Sequence, residues 1–268
     1  MHIRCQKICA ISGQVNGFMP AHAATADERF DIRKGLPILA FRLFIGFGVL
    51  ALLSLAILLA GKLYGRSLVH AGYTSSTQPY GISIGSDVVT VPANMIRMND
   101  QRHPGIANRL DLYIHWPTMS GFGDGLASAF NDIDPATNSI IFVSILPRAT
   151  SADMAGRFDA VYRNVLAGPV TDAGHGLKQA PLSAEHGYID EEIVFSVPDM
   201  RTGRRFVARC QDDAATDHVV VAPCETDIHF GETLTAQARF PTRLLNDWAK
   251  INAALPKFLN GLLAADRQ

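Results

Sequence analysis

The sequence predicts an α+β protein, in which a single N-terminal transmembrane helix precedes one extracytoplasmic domain with a mostly antiparallel sheet of about seven strands and two main helices. Three observations predict this fold class. An apolar run without charge lies between Leu43 and Gly61. Short segments rich in β-branched residues follow, bounded by turn residues. Two segments, after Ser151 and after Pro241, instead repeat their apolar residues at helical spacing.

The apolar run 43–61 is predicted to cross a lipid bilayer. Its nineteen residues span about 28 Å as a helix, close to the roughly 30 Å of a bilayer core. A buried helix of a soluble protein usually carries a polar stripe, and this run has only Ser54. A cleaved signal peptide has a shorter apolar region, of about 7–15 residues. The sequence therefore favours an uncleaved anchor, with the bilayer as its partner.

The distribution of basic residues predicts the orientation of the anchor. Four lie shortly before the span and two lie shortly after it: Arg29, Arg33, Lys34 and Arg42, then Lys62 and Arg66. Because cytoplasmic flanks carry the excess of Lys and Arg, the N-terminus is expected in the cytoplasm. The prediction is a single-pass protein of the inner (plasma) membrane whose C-terminal domain is periplasmic.

The predicted division of the chain has four parts. Residues 1–42 form a short cytoplasmic tail, with Met19 as an alternative true start, and 43–61 form the transmembrane helix. Residues 62–80 form a juxtamembrane linker, rich in Ser, Thr, Gly and Pro towards its end. Residues 81–268 form the periplasmic α+β domain.

Charge restricts the partners of the outer region. Residues 72–268 contain 16 Lys and Arg against 22 Asp and Glu. An acidic surface repels phosphate backbones and anionic headgroups, so no nucleic-acid partner is expected.

Eight segments read as strands or strand pairs. They are 82–92, 109–116, 139–147, 176–182, 190–197, 204–211, 218–229 and 233–239. The alternation in 109–116 predicts a half-buried strand. The long connection 117–138 is expected to be irregular, with a helical turn near Leu126–Phe130. Ser151 is predicted to cap the next helix, and Pro256 is predicted to kink or split the closing helix.

Three motifs resemble functional loops but lack part of the required pattern. In 81–85, Ser83 stands in a Gly-x-Ser-x-Gly pattern, yet no strand precedes it and no helix follows it. The glycines of 121–125 lack the third glycine of a dinucleotide loop. The acidic loop 132–138 has Ala136 where a calcium loop needs an oxygen ligand. Each is interpreted as ordinary strand or turn chemistry.

No catalytic, metal or cofactor residue is assigned, and no cofactor is expected. The histidines do not pair at metal-ligand spacing. Arg205 and Arg209 fall on one strand face, which is compatible with an anion patch, although a solvated hairpin face is the favoured interpretation.

Cys210 and Cys224 are predicted to form a disulfide. They are the two cysteines of the outer domain, and an oxidising compartment preserves such bonds. Both alternate with apolar residues, which places both sulfurs on the apolar side of neighbouring strands. Two buried thiols that never meet are the alternative.

Three hypotheses about function remain open. The leading one is a membrane-anchored envelope protein whose periplasmic domain binds or scaffolds an unidentified envelope protein; whether it is an enzyme is uncertain, and the sequence favours that it is not. The second is a periplasmic hydrolase, with a site built from dispersed residues. These would be two or more of Asp111, His115, Asp132, Asp134, His175 and His229. The third is an accessory subunit of a transport or export complex.

Overall fold

The structure, a computed structural model, describes residues 32–70, 72–211 and 220–264. Most of the predicted tail, including Met19, lies outside these ranges. The described residues divide into two units, one that ends at Leu59 and one that begins at Ala60.

One long helix, α1, runs over Ile32–His70. Its stretch Ile38–Gly61 is 24 residues long and apolar enough to cross a membrane, and none of this stretch is buried. An apolar helix belonging to a soluble core would be mostly covered by other elements. The stretch begins before the predicted Leu43 and so includes Arg42 near its N-terminal end, where a long basic side chain can reach the membrane surface.

The remainder of the chain has the predicted α+β fold, with eleven strands and three α-helices among the described residues. The strands are β1 Pro79–Ile84, β2 Asp87–Pro92, β3 Gly105–Ile106, β4 Leu110–His115, β5 Ile140–Pro147, β6 Thr171–Gly174, β7 Leu177–Pro181, β8 Glu191–Ser196, β9 Val207–Gln211, β10 Cys224–Phe230 and β11 Leu234–Phe240. The helices are α2 Ala127–Phe130, α3 Met154–Arg157 and α4 Trp248–Leu262.

The strands form two sheets. The main sheet has eight antiparallel strands in the order β4-β5-β11-β10-β9-β8-β7-β6, and the small sheet has the order β2-β1-β3. The main sheet alone therefore exceeds the predicted seven strands. In the main sheet the strand that the sequence did not indicate is β6, because its four residues are polar or small and show no alternation. In the small sheet, the two-residue strand β3 was also not indicated.

The larger core lies on one face of the main sheet, under α4 and the small sheet. The apolar side of α4 is buried there through Ile251, Leu255, Leu259 and Leu262. Pro256 lies inside this helix, which continues through it without being split. A 3₁₀ segment, Thr242–Asp247, forms the first part of the predicted closing helix instead of an α-helix.

The opposite face of the sheet carries two smaller cores. One of them covers β4, which the sequence predicted to be half-buried. Tyr113 and Asp111 were expected to face solvent, but they are only 1% and 7% exposed. Phe122 and Phe130, from the connection after β4, cover this face and pack on Tyr113. Strand β4 is thus buried on both faces rather than half-buried.

The second smaller core lies under α3, which is shorter than the predicted helix. Asp153, and not Ser151, caps it: the Asp153 carboxylate accepts a hydrogen bond of 3.0 Å from the Gly156 N–H. Met154, Phe158 and Tyr162 are buried as the helical spacing predicted. A 3₁₀ turn from Tyr162 replaces the continuation of the helix.

The expected linker 62–80 contacts the domain in its second part. Helix α1 extends to His70, and the residues from Tyr73 onwards pack on the domain. The Tyr73 ring stacks on Phe122 with centroids 4.9 Å apart, and its hydroxyl donates to the Phe130 carbonyl at 2.8 Å. The backbone of Ser76 accepts from the Asn94 N–H at 2.8 Å. The ordered domain therefore begins near Tyr73 rather than at residue 81.

This docking predicts that Tyr73→Ala destabilises the domain by about 2 kcal/mol, because it removes a half-buried ring and leaves a cavity. Limited proteolysis should then cut residues 72–80 faster, and thermal unfolding should begin at lower temperature. Thr77→Ala is the control, since Thr77 is exposed in the same segment. Equal proteolysis of the two variants would contradict the docking.

Candidate functional site

The main sheet divides between two neighbouring strands, β9 and β10. They pair at only two positions, Cys210 with Cys224 and Arg209 with Glu225. Strand β10 continues from there to Phe230, paired with β11 along its whole length. Strand β9 instead stays with β8, and the chain between those two strands forms the hairpin 197–206. The strands therefore separate like a fork.

Two side-chain hydroxyl groups bond to the backbone near the point where β9 and β10 separate. The Thr226 hydroxyl donates to the Val207 carbonyl at 2.8 Å, where a continued ladder would place a backbone N–H. The Ser196 hydroxyl accepts from the Phe206 N–H at 3.0 Å, and the Ser196 N–H donates to the Phe206 carbonyl at 3.0 Å. The Ser196 bonds fasten the end of the hairpin to β8, and the Thr226 bond is the contact between β10 and β9 beyond Glu225.

A cleft of about 670 Å³ lies at this fork. It is lined by β10 from Thr226 to His229, by the hairpin 197–206, by the first turns of α4 and by the start of α3. This volume is within the range of about 300–1,000 Å³ that is usual for ligand sites.

One side of the cleft, towards α4, is apolar. Phe206, Ile228 and Trp248 line it, and the rings of Phe206 and Trp248 have centroids 5.6 Å apart. The Trp248 indole donates to the His175 carbonyl at 2.9 Å, which fixes its orientation. Beyond Trp248, helix α4 lines the cleft with Ala249, Asn252, Ala253 and Pro256.

The other side, towards α3, is charged. The Asp227 carboxylate accepts from the Met154 N–H and from Arg157 at 2.6 Å. The Asp153 carboxylate pairs with Arg204. Both carboxylates are almost fully buried, at 10% and 7% side-chain exposure. Because each is bonded to an arginine and to the first turn of α3, these acids mainly fix the wall of the cleft.

His229 adds a neutral polar group to the charged side. Burial and the nearby Arg148 lower the pKa of His229 below its ordinary value, against the opposing effect of Asp153 and Asp227. Its Nε2 lies 3.4 Å from the Thr150 hydroxyl. A neutral imidazole can donate one hydrogen bond and accept another, so His229 can contact either kind of polar group.

Arg205 and Arg209 both have acidic partners, which counts against an anion patch formed by these two side chains. Arg205 contacts Asp159 at 3.3 Å and lies 4.3 Å from the centre of the Phe158 ring. Arg209 lies between Glu191 and Glu225, at 3.3 and 3.5 Å. Burial raises the pKa of Glu191, partly offset by Arg209.

The six dispersed candidates of the hydrolase hypothesis do not come together in this cleft. Of the six, His229 alone lines it. Asp111 lies on the face of β4 opposite the larger core, and His175 is at the tip of the β6–β7 hairpin. His115 Nδ1 lies 2.8 Å from the Thr118 hydroxyl, at the end of β4.

Asp132 and Asp134, and the three motifs, lie in turn and strand structure. Asp132 accepts from the Asp134 N–H at 2.9 Å and from the Thr137 hydroxyl at 2.7 Å, as in a side-chain-stabilised turn. Ser83 lies inside β1, opposite Val88. Gly121 fits against the Asn94 backbone, where an added Cβ would come within 2.4 Å of its carbonyl oxygen.

Cys210 and Cys224 form a disulfide, with Cα atoms 4.0 Å apart. This is shorter than the usual Cα separation of a disulfide, which is about 4.4–6.8 Å. The reason is the register: the two residues are direct partners, and the Gln211 N–H donates to the Pro223 carbonyl one position beyond them. This makes them a non-hydrogen-bonded pair, in which antiparallel backbones approach most closely.

Sequence patterns did not reveal the cleft. Its lining combines Asp227, Phe206 and Trp248, which are far apart in the chain. One available signal was the run of polar residues Glu225–Asp227 inside a strand-like segment.

Comparisons with known proteins identify no family. No protein-family model matches the chain, and no curated protein matches it. Among solved structures, an immunity protein of the Stenotrophomonas maltophilia type IV secretion system, Smlt3025, is similar with TM-score 0.46 and 13% identity, over 71% of this chain and 95% of that one. The Neisseria meningitidis iron-regulated outer membrane lipoprotein FrpD has TM-score 0.37 and 8% identity, over 72% and 95%. At these values, neither similarity carries an argument about function.

The disulfide should contribute about 3 kcal/mol to the free energy of unfolding, as expected for a closed loop of about 15 residues. The double variant Cys210→Ala, Cys224→Ala should therefore unfold at lower denaturant concentration than the parent. Dithiothreitol should lower the stability of the parent protein and leave the double variant unchanged. A parent protein that is equally stable with and without dithiothreitol would show that the bond contributes little.

The hydrogen bonds of Asp111 predict how the stability of the fold depends on pH. Burial alone would raise its pKa, but hydrogen bonds from Ser144, Arg109 and Gln101 outweigh burial and hold the pKa below its ordinary 3.8. A carboxyl group with a lowered folded-state pKa stabilises the fold above its unfolded pKa, and this is lost as the pH falls through the folded value.

Asp111→Asn should accordingly cost about 1–3 kcal/mol at neutral pH. The stability difference between parent and variant should shrink as the pH falls below 3.8. Urea denaturation between neutral pH and the acid range measures it. A difference that stays constant over that range would be inconsistent with the bonded carboxylate.

Proposed function

We propose that this protein is a single-pass protein of the inner membrane that presents a protein-binding domain in the periplasm. In this proposal residues 1–42 are cytoplasmic, 43–61 cross the bilayer, and 81–268, together with residues 73–80, form the periplasmic domain. The observation that carries the proposal is the apolar helix stretch Ile38–Gly61, whose side chains are all exposed. Exposed apolar surface of that length is costly in water and favourable in a bilayer.

The disulfide supports the compartment. Cys210 and Cys224 are bonded within the domain, and such bonds persist in the periplasm but not in the reducing cytoplasm. The excess of basic residues before the span supports the same orientation.

The cleft supports binding as the role of the domain. It has one apolar side and one polar side, and the exposed apolar residues Val197 and Met200 belong to the hairpin beside it. Exposed apolar residues next to a concave surface are typical of interaction sites. The hydrolase alternative gains no support from the six dispersed residues, since His229 alone of them lines the cleft.

Reporter fusions test the orientation. Alkaline phosphatase, which is active only in the periplasm, should be active when fused after Gln268 of the full chain. A fluorescent protein that folds only in the cytoplasm should remain dark at the same position. The matched control replaces Arg29, Arg33, Lys34 and Arg42 by neutral residues, which should weaken the preference. An inactive phosphatase fusion together with a fluorescent second fusion would contradict the proposed topology and indicate the opposite orientation.

A further inference from the structure

We propose that the cleft at the fork binds an extended peptide segment of a partner protein, which adds as a strand to the free edge of β10. This inference rests on the proposed function as a binding domain and specifies how the partner is held.

The register of β10 provides the first argument. Because Cys224 and Cys210 form a non-hydrogen-bonded pair, the neighbouring Glu225 directs its N–H and C=O towards β9. The same alternation directs the backbone groups of Asp227 and His229 to that side. The pairing with β9 ends at Glu225, so these two residues present two N–H and two C=O groups at the fork.

Both residues line the cleft. Their donors and acceptors repeat about every 6.8 Å, which is the two-residue repeat of an antiparallel strand. The backbone of an extended peptide has the same repeat, so it can bond to both Asp227 and His229. A small ligand is too short to bond to both. Strand addition at an exposed sheet edge is an established mode of peptide recognition.

The two sides of the cleft define the peptide. Side chains of an added strand would alternate, as those of β10 do, between the apolar side with Phe206 and Trp248 and the charged side with Asp227 and His229. The occupant should therefore alternate apolar and polar residues. Its polar side chains meet a neutral His229 and carboxylates that already have arginine partners.

The hairpin 197–206 provides a preformed second wall. Its tip is fixed by Asp199, whose carboxylate accepts from the Arg201 and Thr202 N–H groups at 3.0 and 2.8 Å. Val197, 64% exposed, lies on the cleft, and Met200 is fully exposed at the tip. A fixed wall lowers the entropy lost when a flexible peptide is ordered.

The experiment uses the full chain in lipid nanodiscs and a phage library of random heptapeptides, with empty nanodiscs for counter-selection. Enriched peptides should alternate apolar and polar residues. Methylation of the backbone nitrogens should weaken binding by about tenfold or more at every second position, where the N–H faces β10, and much less at the others.

Two variants at one position provide the matched comparison. His229→Pro removes the backbone donor at the edge of β10 but leaves the pairing with β11, because the His229 N–H faces the fork. It should reduce peptide affinity by about tenfold more than His229→Ala, which removes the same imidazole but keeps the backbone donor. Near-ultraviolet circular dichroism checks the fold of both; if the proline variant unfolds, the methylated peptides decide alone.

The proposal is overturned if no peptide is enriched over empty nanodiscs, or if the selected peptides tolerate methylation at every position. Photo-cross-linkers in native membranes separate this failure from that of the proposed function. Adducts from Gln237 on the exposed sheet face, without adducts from Asn252 beside the cleft, would leave a binding domain whose site is elsewhere. No adduct from any exposed position of the domain would overturn the binding function itself.

Discussion

The disulfide between Cys210 and Cys224 is the constraint on which the arrangement of the domain depends. It joins β9 and β10 where they share only two residue pairs, and the main sheet divides immediately beyond. On one side, β10 continues with β11 into the larger core; on the other, β9 continues with β8 over the core under α3. A short ladder contributes little pairing energy, so the covalent bond keeps the two halves of the sheet in register.

The fork also explains why polar groups are buried there. Thr226, Asp227 and Ser196 have little exposure, yet each is hydrogen-bonded to backbone or to an arginine. A buried polar group without a partner costs free energy, so these bonds are needed wherever strands separate inside a fold. The cleft thus forms because β9 and β10 are joined at the disulfide and separate beyond Glu225.

Local patterns in the sequence predicted the α+β class, most strands, the apolar helix and the cysteine pair. Each of these depends on neighbours in the chain, as in the alternation of Leu110 and Leu112 along β4. The prediction failed where distant residues decide: Tyr113 is buried because Phe122 and Phe130 return to cover it, and Tyr73 joins the same cluster. The fork was likewise hidden, since alternation shows that β9 and β10 are strands but not how far they run together.

In the proposed arrangement, with the domain tethered at one end and held by a partner at the other, the Cys210–Cys224 bond has a mechanical consequence. The bonded residues are 14 positions apart, so the chain between them carries no tension while the bond is intact. That section would otherwise release about 45 Å of contour length on being stretched. Under load the oxidised domain is consequently shorter and stiffer than the reduced one, and tension passes from β10 to β9 through sulfur instead of through hydrogen bonds.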